Sequence, residues 1–211
     1  SGLSSAIHYL AKETPGAGMG EIEFSVFKQQ IEKQSKGTAI RVGRGVPNIE
    51  DQIRTANELI RGLEIYISSD DPNRALEGEL ETLKEEVENG IIKFANSILE
   101  SERNIVTSQK EKPAEYLMNF LLSFAGRVAG RERLNLLTLY YDRVLVFGAE
   151  LAGLHLIDRF VGSISPIFRS SRLNIDLHYN PPGIRGEPRY LEGVVNFTKL
   201  HGSLDWSHSD G

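Results

Sequence analysis

Two short segments hold the residues whose types and order suit chemistry. One is Lys199-Leu200-His201-Gly202-Ser203-Leu204-Asp205-Trp206, and the other is Thr138-Leu139-Tyr140-Tyr141-Asp142. Each follows a short apolar run, at 194–200 and 134–138, of the kind expected for a buried parallel strand. Ligands of open parallel sheets bind beyond the carboxyl ends of the strands, so both segments are expected to line one crevice. An imidazole takes or gives a proton near neutral pH, which makes His201 a candidate general base. Gly202 after it lets a ligand approach the backbone closely. On the residues alone, the alternative is a histidine hydrogen-bonded in a strand-to-loop corner, with no chemistry.

Other chemistries fit less well. The chain has no cysteine, which excludes a disulfide framework, a thiol nucleophile and a cysteine-based zinc site. It has no phosphate loop of the G-x-x-x-x-G-K-[ST] type, no H-E-x-x-H pair and no G-x-S-x-G elbow. His201 and His208 lie seven apart in a turn-like tail with no cysteine nearby, so no metal site is expected.

The elements that must position these residues are strands and helices in alternation. Residues 134–138 read as a strand, 141–153 as the helix after it, and 194–200 as a second strand. Pro181-Pro182-Gly183 and Gly186-Glu187-Pro188 mark irregular loops between them. Upstream lies a helical block. Ile49, Ile53, Ala56, Ile60 and Leu63 recur at helical spacing behind Asn48, a good N-cap. A longer helix is expected to begin at Asp71-Pro72. Leu76, Leu80, Leu83, Val87, Ile91, Phe94 and Ile98 form its apolar face, and a run of glutamates its solvated one. A third helix is expected over 114–126. Nearer the start, 6–12 and 23–33 read as short helices and 36–46 as an exposed, glycine-bearing loop. The class is therefore α/β, divided into a first part at 1–46, a helical insertion at 47–130 and a return to the sheet domain at 131–211.

With the motifs in place, a resemblance can be stated. Leu200-His201-Gly202-Ser203-Leu204-Asp205-Trp206 resembles the L-H-G-S-[IL]-x-W segment of sirtuin-like domains from prokaryotic antiviral defence proteins. Asn135 to Asp142 is similar to that family's N-[IL]-[FL]-T-T-N-Y-D strand end. Asp158-Arg159-Phe160-Val161-Gly162 is similar to its D-G-F-x-G step, and Asn48-Ile49-Glu50-Asp51 to the acidic motif opening its insertion. The matches follow family order from 48 to 206.

The resemblance implies a Rossmann-like parallel sheet with a large helical insertion, and an NAD hydrolase that breaks the nicotinamide–ribose bond to deplete NAD in antiphage defence. NAD is then substrate, and no zinc is implied. His201 matches the catalytic histidine, and Asp142 the end of the T-N-Y-D motif, where it orients its neighbours. Thr138, Tyr140 and Gly202 fall at nucleotide-binding positions. Gly2 and Ser4 match the last part of the family's G-A-G-x-S loop, whose backbone N–H groups meet the pyrophosphate. Gly16-Ala17-Gly18-Met19 is a competitor that lacks the serine. Neither terminus reads as a domain boundary, so an incomplete domain is expected, with adenine contacts beyond Gly211.

Two departures matter. Tyr140 stands where the family places asparagine, and a phenol cannot reproduce amide geometry. The glycine loop is matched only in part. Both keep open a second reading, a catalytically weak assembly module that scaffolds a DNA-translocase-type ATPase or another defence protein. A homo-oligomer is implied in either case. Protein deacylation is disfavoured, because the cysteine ribbon and the arginine loop of deacylases are missing.

Composition sets outer limits. The net charge of -5 argues against a nucleic-acid surface covering the whole molecule. No apolar run is long enough to span a bilayer and no secretory signal opens the chain, so a cytoplasmic location without membrane contact is expected.

Overall fold

The computed structural model describes residues 21–67, 74–107, 111–125, 133–162, 164–171, 175–180, 182, 186 and 189–207. Gly2, Ser4, the competing glycine cluster at 16–19 and the expected helix at 6–12 lie outside them. The chain divides into two compact units, one holding described residues 21–101 and the other 102–207.

The first unit is helical. Helix α1 spans Lys28–Arg41, α2 spans Ile49–Ile67, and α3 spans Arg74–Thr107, its residues from Glu102 onward belonging to the second unit. Its core is Ile22, Phe24, Ile31, Ile49, Ala56, Leu83 and Val87, with Val26, Phe27, Ile53 and Phe94 packed around them. Asn48 caps α2 as its type predicts: its side-chain oxygen accepts the Asp51 N–H at 3.0 Å, and Asp51 returns the bond to the Asn48 N–H at 3.1 Å. This is a capping box with aspartate in the third helical position. The Asp51 carboxylate is buried and also takes two bonds from Arg44, at 2.6 and 2.7 Å.

Two expectations fail in this unit. Of the helix expected over 23–33, residues 23–27 are not helical, and neighbouring backbone groups are bonded to other elements. Ile22 N–H donates to Gln52 Oε1 at 3.0 Å, and Ser25 N–H donates to Glu86 Oε1 at 2.8 Å. Helix α1 then runs on to Arg41, through much of the expected 36–46 loop. Ile31, Ser35 and Ala39 lie on one buried stripe, and that burial outweighs the cost of Gly37, about 1 kcal/mol against alanine. Gly43, with φ of 78°, marks the turn that follows.

The second unit carries the sheet. Helix α4 spans Glu111–Ala125, strand β1 Leu134–Thr138, helix α5 Val144–Leu151, strand β2 His155–Ile157, and strand β7 Val194–Lys199. Between β2 and β7 run two short antiparallel pairs, β3 (Phe160–Val161) with β4 (Ile167–Phe168), and β5 (His178–Tyr179) with β6 (Arg189–Tyr190). β1, β7 and β2 form a parallel three-stranded sheet with β7 in the middle. Leu134 sits beside Val195, and Leu136 beside Phe197. On this side Leu136 and Leu156 pack with Leu117 and Leu121 of α4 and Ala149 of α5. The class is mixed α/β, with a small parallel sheet and a helical majority. Among the described residues no helix is long and apolar enough to cross a membrane.

Candidate strand-end site

The expected strands at 134–138 and 194–200 are neighbours, and their carboxyl ends lie side by side. The ladder runs one bond past its register, with Leu200 N–H donating to the Thr138 carbonyl at 2.9 Å. Beyond it the two exit loops, 139–143 and 200–206, are joined by a cluster of polar bonds.

Lys199 makes that cluster. Strand alternation places it on the same side as Val195 and Phe197, so its side chain is directed inward and the residue is buried. Its Nζ donates to the carbonyl oxygens of Tyr141 at 3.1 Å and Asp142 at 2.5 Å, and to Ser203 Oγ at 2.8 Å. Three donors thus meet three acceptors, which satisfies an ammonium taken out of water. Ser203 Oγ passes a bond on to the Tyr141 carbonyl at 3.3 Å, and Leu204 N–H points to the same oxygen at 3.4 Å. Burial lowers the Lys199 pKa below its ordinary value, opposed by the charges of Asp142, Asp205 and Glu102.

Around this knot stand the residues singled out from sequence. His201 is exposed, and its ring centroid is 6.0 Å from that of Tyr141. Gly202 has φ of 88°, a left-handed conformation that an L side chain resists. Thr138 is buried and its hydroxyl accepts the Tyr140 N–H at 3.1 Å, so it shapes the turn leaving β1. Tyr140 is 64% exposed. Asp142 is half-buried. Its Oδ1 accepts the Val144 N–H at 3.0 Å and its carbonyl accepts from Lys199, so it holds the start of α5 and the loop before it.

The third parallel strand joins at the same end. Beyond β2, Asp158 Oδ1 accepts the Phe160 N–H at 3.0 Å, and Arg159 turns with φ of 69°. Phe160 then packs on Trp206 with ring centroids 4.9 Å apart, and Phe168 lies 6.4 Å from Trp206. His201, Gly202, Asp142, Tyr140 and Thr138 are thus brought to adjoining strand exits.

Sequence reasoning quoted Lys199 and Ser203 within their segment without giving them a role, and passed over Glu102 and Arg143. The buried Glu102 carboxylate accepts the Arg143 backbone N–H and its guanidinium, directly ahead of α5. Together with Asp142, whose Oδ1 accepts the Val144 N–H, it takes up N–H groups at that helix start, while Arg143 pairs with the Glu102 charge. The period-two pattern of 195, 197 and 199 was the available signal for Lys199. Glu102 carried none, since one glutamate on a helix rich in them reads as solvated.

Elsewhere, a cleft of about 470 Å³ in the helical unit is lined by Ile22, Ile49, Glu86, Lys93 and Phe94, with Glu21 and Glu23 at its side. No residue singled out for catalysis or nucleotide binding lines it, and its three carboxylates disfavour a phosphate-bearing ligand. Among the described residues, no group of three His, Asp or Glu side chains is placed to hold a metal ion.

Neither a protein-family model nor a curated protein sequence matches the chain. The resemblance to sirtuin-like domains therefore rests on the quoted motifs.

Proposed function

We propose that the protein is an NAD hydrolase of the sirtuin-like kind, with a Rossmann-like NAD-binding sheet, acting in antiphage defence by depleting NAD. The observation that carries the reading is the convergence of Tyr141-Asp142 and His201-Gly202 at neighbouring carboxyl ends of parallel strands. That is where an α/β sheet receives a nucleotide, and the motifs that meet there are the ones resembling the family's site.

The chemistry asks little of the protein beyond placement and one base. The nicotinamide–ribose bond breaks with its electron pair leaving on the ring nitrogen, so nicotinamide departs neutral and positive charge develops at the sugar. Water adds to the sugar carbon, and His201 takes the proton that water loses. The products are nicotinamide, ADP-ribose and one proton. Gly202 lets the nucleotide approach the backbone, while Asp142 and Thr138 hold the opposite loop in shape.

A second reading is favoured by Tyr140, which replaces the family's asparagine and extends its phenol toward solvent. In it the domain is catalytically weak and serves assembly with an ATPase or another defence protein.

NAD consumption by the protein, alone and with the product of a neighbouring gene, separates the two. The first reading expects NAD loss that His201→Ala abolishes while folding is kept. Cleavage that survives His201→Ala sinks the assignment of the base. An inert parent that Tyr140→Asn revives supports the second reading.

A further inference from the structure

We propose that Lys199 is the positioning residue of the strand-end site, its ammonium binding the β1 exit loop to the β7 exit loop so that His201 is held facing Tyr141. The inference rests on the assignment of His201 to NAD cleavage for its catalytic consequence, although the clamp itself is measurable without NAD.

The geometry carries it. Tyr141 O, Asp142 O and Ser203 Oγ come from two loops that meet only beyond the strands, and one Nζ reaches all three. His201 lies between Lys199 and Ser203, and both flanking side chains are fixed in the same bonds. The imidazole is therefore mounted on a short arch anchored at both ends. The same loops are also joined by Leu200 N–H to Thr138 O at 2.9 Å, Ser203 Oγ to Tyr141 O at 3.3 Å and Leu204 N–H to Tyr141 O at 3.4 Å. Each is longer or more peripheral than the Lys199 bond to Asp142 O. Removing the ammonium takes a donor from each of the Tyr141 and Asp142 carbonyls, and leaves the longer bonds to Tyr141 O, from Ser203 Oγ at 3.3 Å and Leu204 N–H at 3.4 Å, to hold the loops together.

Lys199 touches no reacting atom in this assignment. It acts through the loop that bears His201, so its loss is expected in kcat more than in KM. Misplacing a base by about 1 Å costs up to about a hundredfold in rate.

The absence of cysteine from the chain allows a clean rescue. Lys199→Cys introduces the sole thiol. Alkylation with bromoethylamine in denaturant, followed by refolding, rebuilds an ammonium at nearly lysine length. The parent taken through the same steps is the control. Two readouts are followed: kcat and KM for NAD cleavage, and amide hydrogen exchange at Leu204 against Phe197 in mid-strand, without NAD. We expect Lys199→Met and unmodified Lys199→Cys to lose about tenfold to a hundredfold in kcat with KM little changed. Exchange at Leu204 quickens while Phe197 stays protected, and aminoethylation restores both. Parent-like kcat and Leu204 exchange in Lys199→Met would overturn the proposal, as would a folded, aminoethylated protein in which neither recovers.

If the parent does not cleave NAD, the hydrolase reading fails and Leu204 exchange alone decides the clamp. Quickened exchange reversed by aminoethylation upholds it, and unchanged exchange rejects it. Should the Lys199 variants fail to fold, Ser203→Ala removes one acceptor of the ammonium together with the Ser203 bond to the Tyr141 carbonyl. Quicker Leu204 exchange in that variant supports the clamp, and parent-like exchange overturns it.

Discussion

Glu102 and Arg143 are joined three ways: the Glu102 carboxylate accepts the Arg143 backbone N–H, its Nε at 3.1 Å and its Nη2 at 2.6 Å. The side chain of Glu102 is nearly buried, whereas that of Arg143 is 45% exposed. The hydrogen bond to Glu102 raises the arginine pKa further above an already high value. Glu102→Ala strands the backbone N–H ahead of α5 while the half-exposed guanidinium rehydrates. The expected loss is about 1–2 kcal/mol in urea denaturation, near the cost of one unmet buried donor.

Two glycines in helices should respond oppositely to alanine. A Cβ at Gly148 in α5 would stand 2.5 Å from Leu117 of α4, inside the core of the sheet unit. One at Gly37 in α1 would meet nothing within 4 Å. Gly148→Ala is expected to destabilise by about 1–3 kcal/mol through overpacking. Gly37→Ala should stabilise by about 0.5–1 kcal/mol, the ordinary helix gain. Thermal denaturation of both variants checks the pair, and equal signs would contradict this account of the packing.

Asp51 is a buried acid with several duties. It caps α2, takes a two-bond pair from Arg44, and receives a longer contact from Arg54 at 3.5 Å. Asp51→Ala removes the cap and leaves the partly exposed arginines to solvent. The expected cost is about 2–3 kcal/mol, a cap plus a charged hydrogen bond. Asn48→Ala should cost about 1 kcal/mol, since one half of the box remains. Denaturant midpoints of the two variants test the order.

Asp176 predicts an acid dependence. Burial alone pushes its carboxyl up, but the Arg133 guanidinium, the Leu177 N–H and nearby positive charge outweigh this and hold it below the ordinary aspartate range. The folded value is thus lower than the unfolded one. The contribution is fully present above about pH 4 and fades as pH falls through the folded value. Parent stability followed downward from about pH 6 should therefore decline more steeply than that of Asp176→Asn. Superimposable pH curves would remove the ion pair from the account.

Much of the framework was readable from residue pattern. The apolar run at 134–138 is β1 as drawn, and the run at 194–200 is β7 without its last residue. The burial is one-sided in β1, where Asn135 and Leu137 are exposed, so it is not the fully buried strand expected; β7, between its two neighbours, is the more deeply buried. β2 was not readable, because three residues, His155-Leu156-Ile157, are too few to establish a period. Helix α5 begins later than its pattern suggested, since Asp142 caps the N–H of Val144 and the chain before it is held by Lys199. Of the candidate site, the two loops were visible as motifs beyond strands. Their fastening was not, because a lysine at a strand end ordinarily points to solvent. Only tertiary geometry shows that this one reaches across to carbonyls that lie 57 and 58 residues earlier in the chain.

The strand order fixes a sequence of events during synthesis. β7 lies between β1 and β2, yet it is translated last, and β1 and β2 share no ladder of their own. A nascent chain that has emerged only through β2 holds two edge strands and no middle. Leu136 and Leu156 are then expected to pack on α4 and α5 without a ladder partner between them until Val194–Lys199 has been made and can enter the gap. The strand that joins β1 to β2 also carries Lys199 at its end, so the same pairing that links the three strands brings the knot to the loop bearing His201.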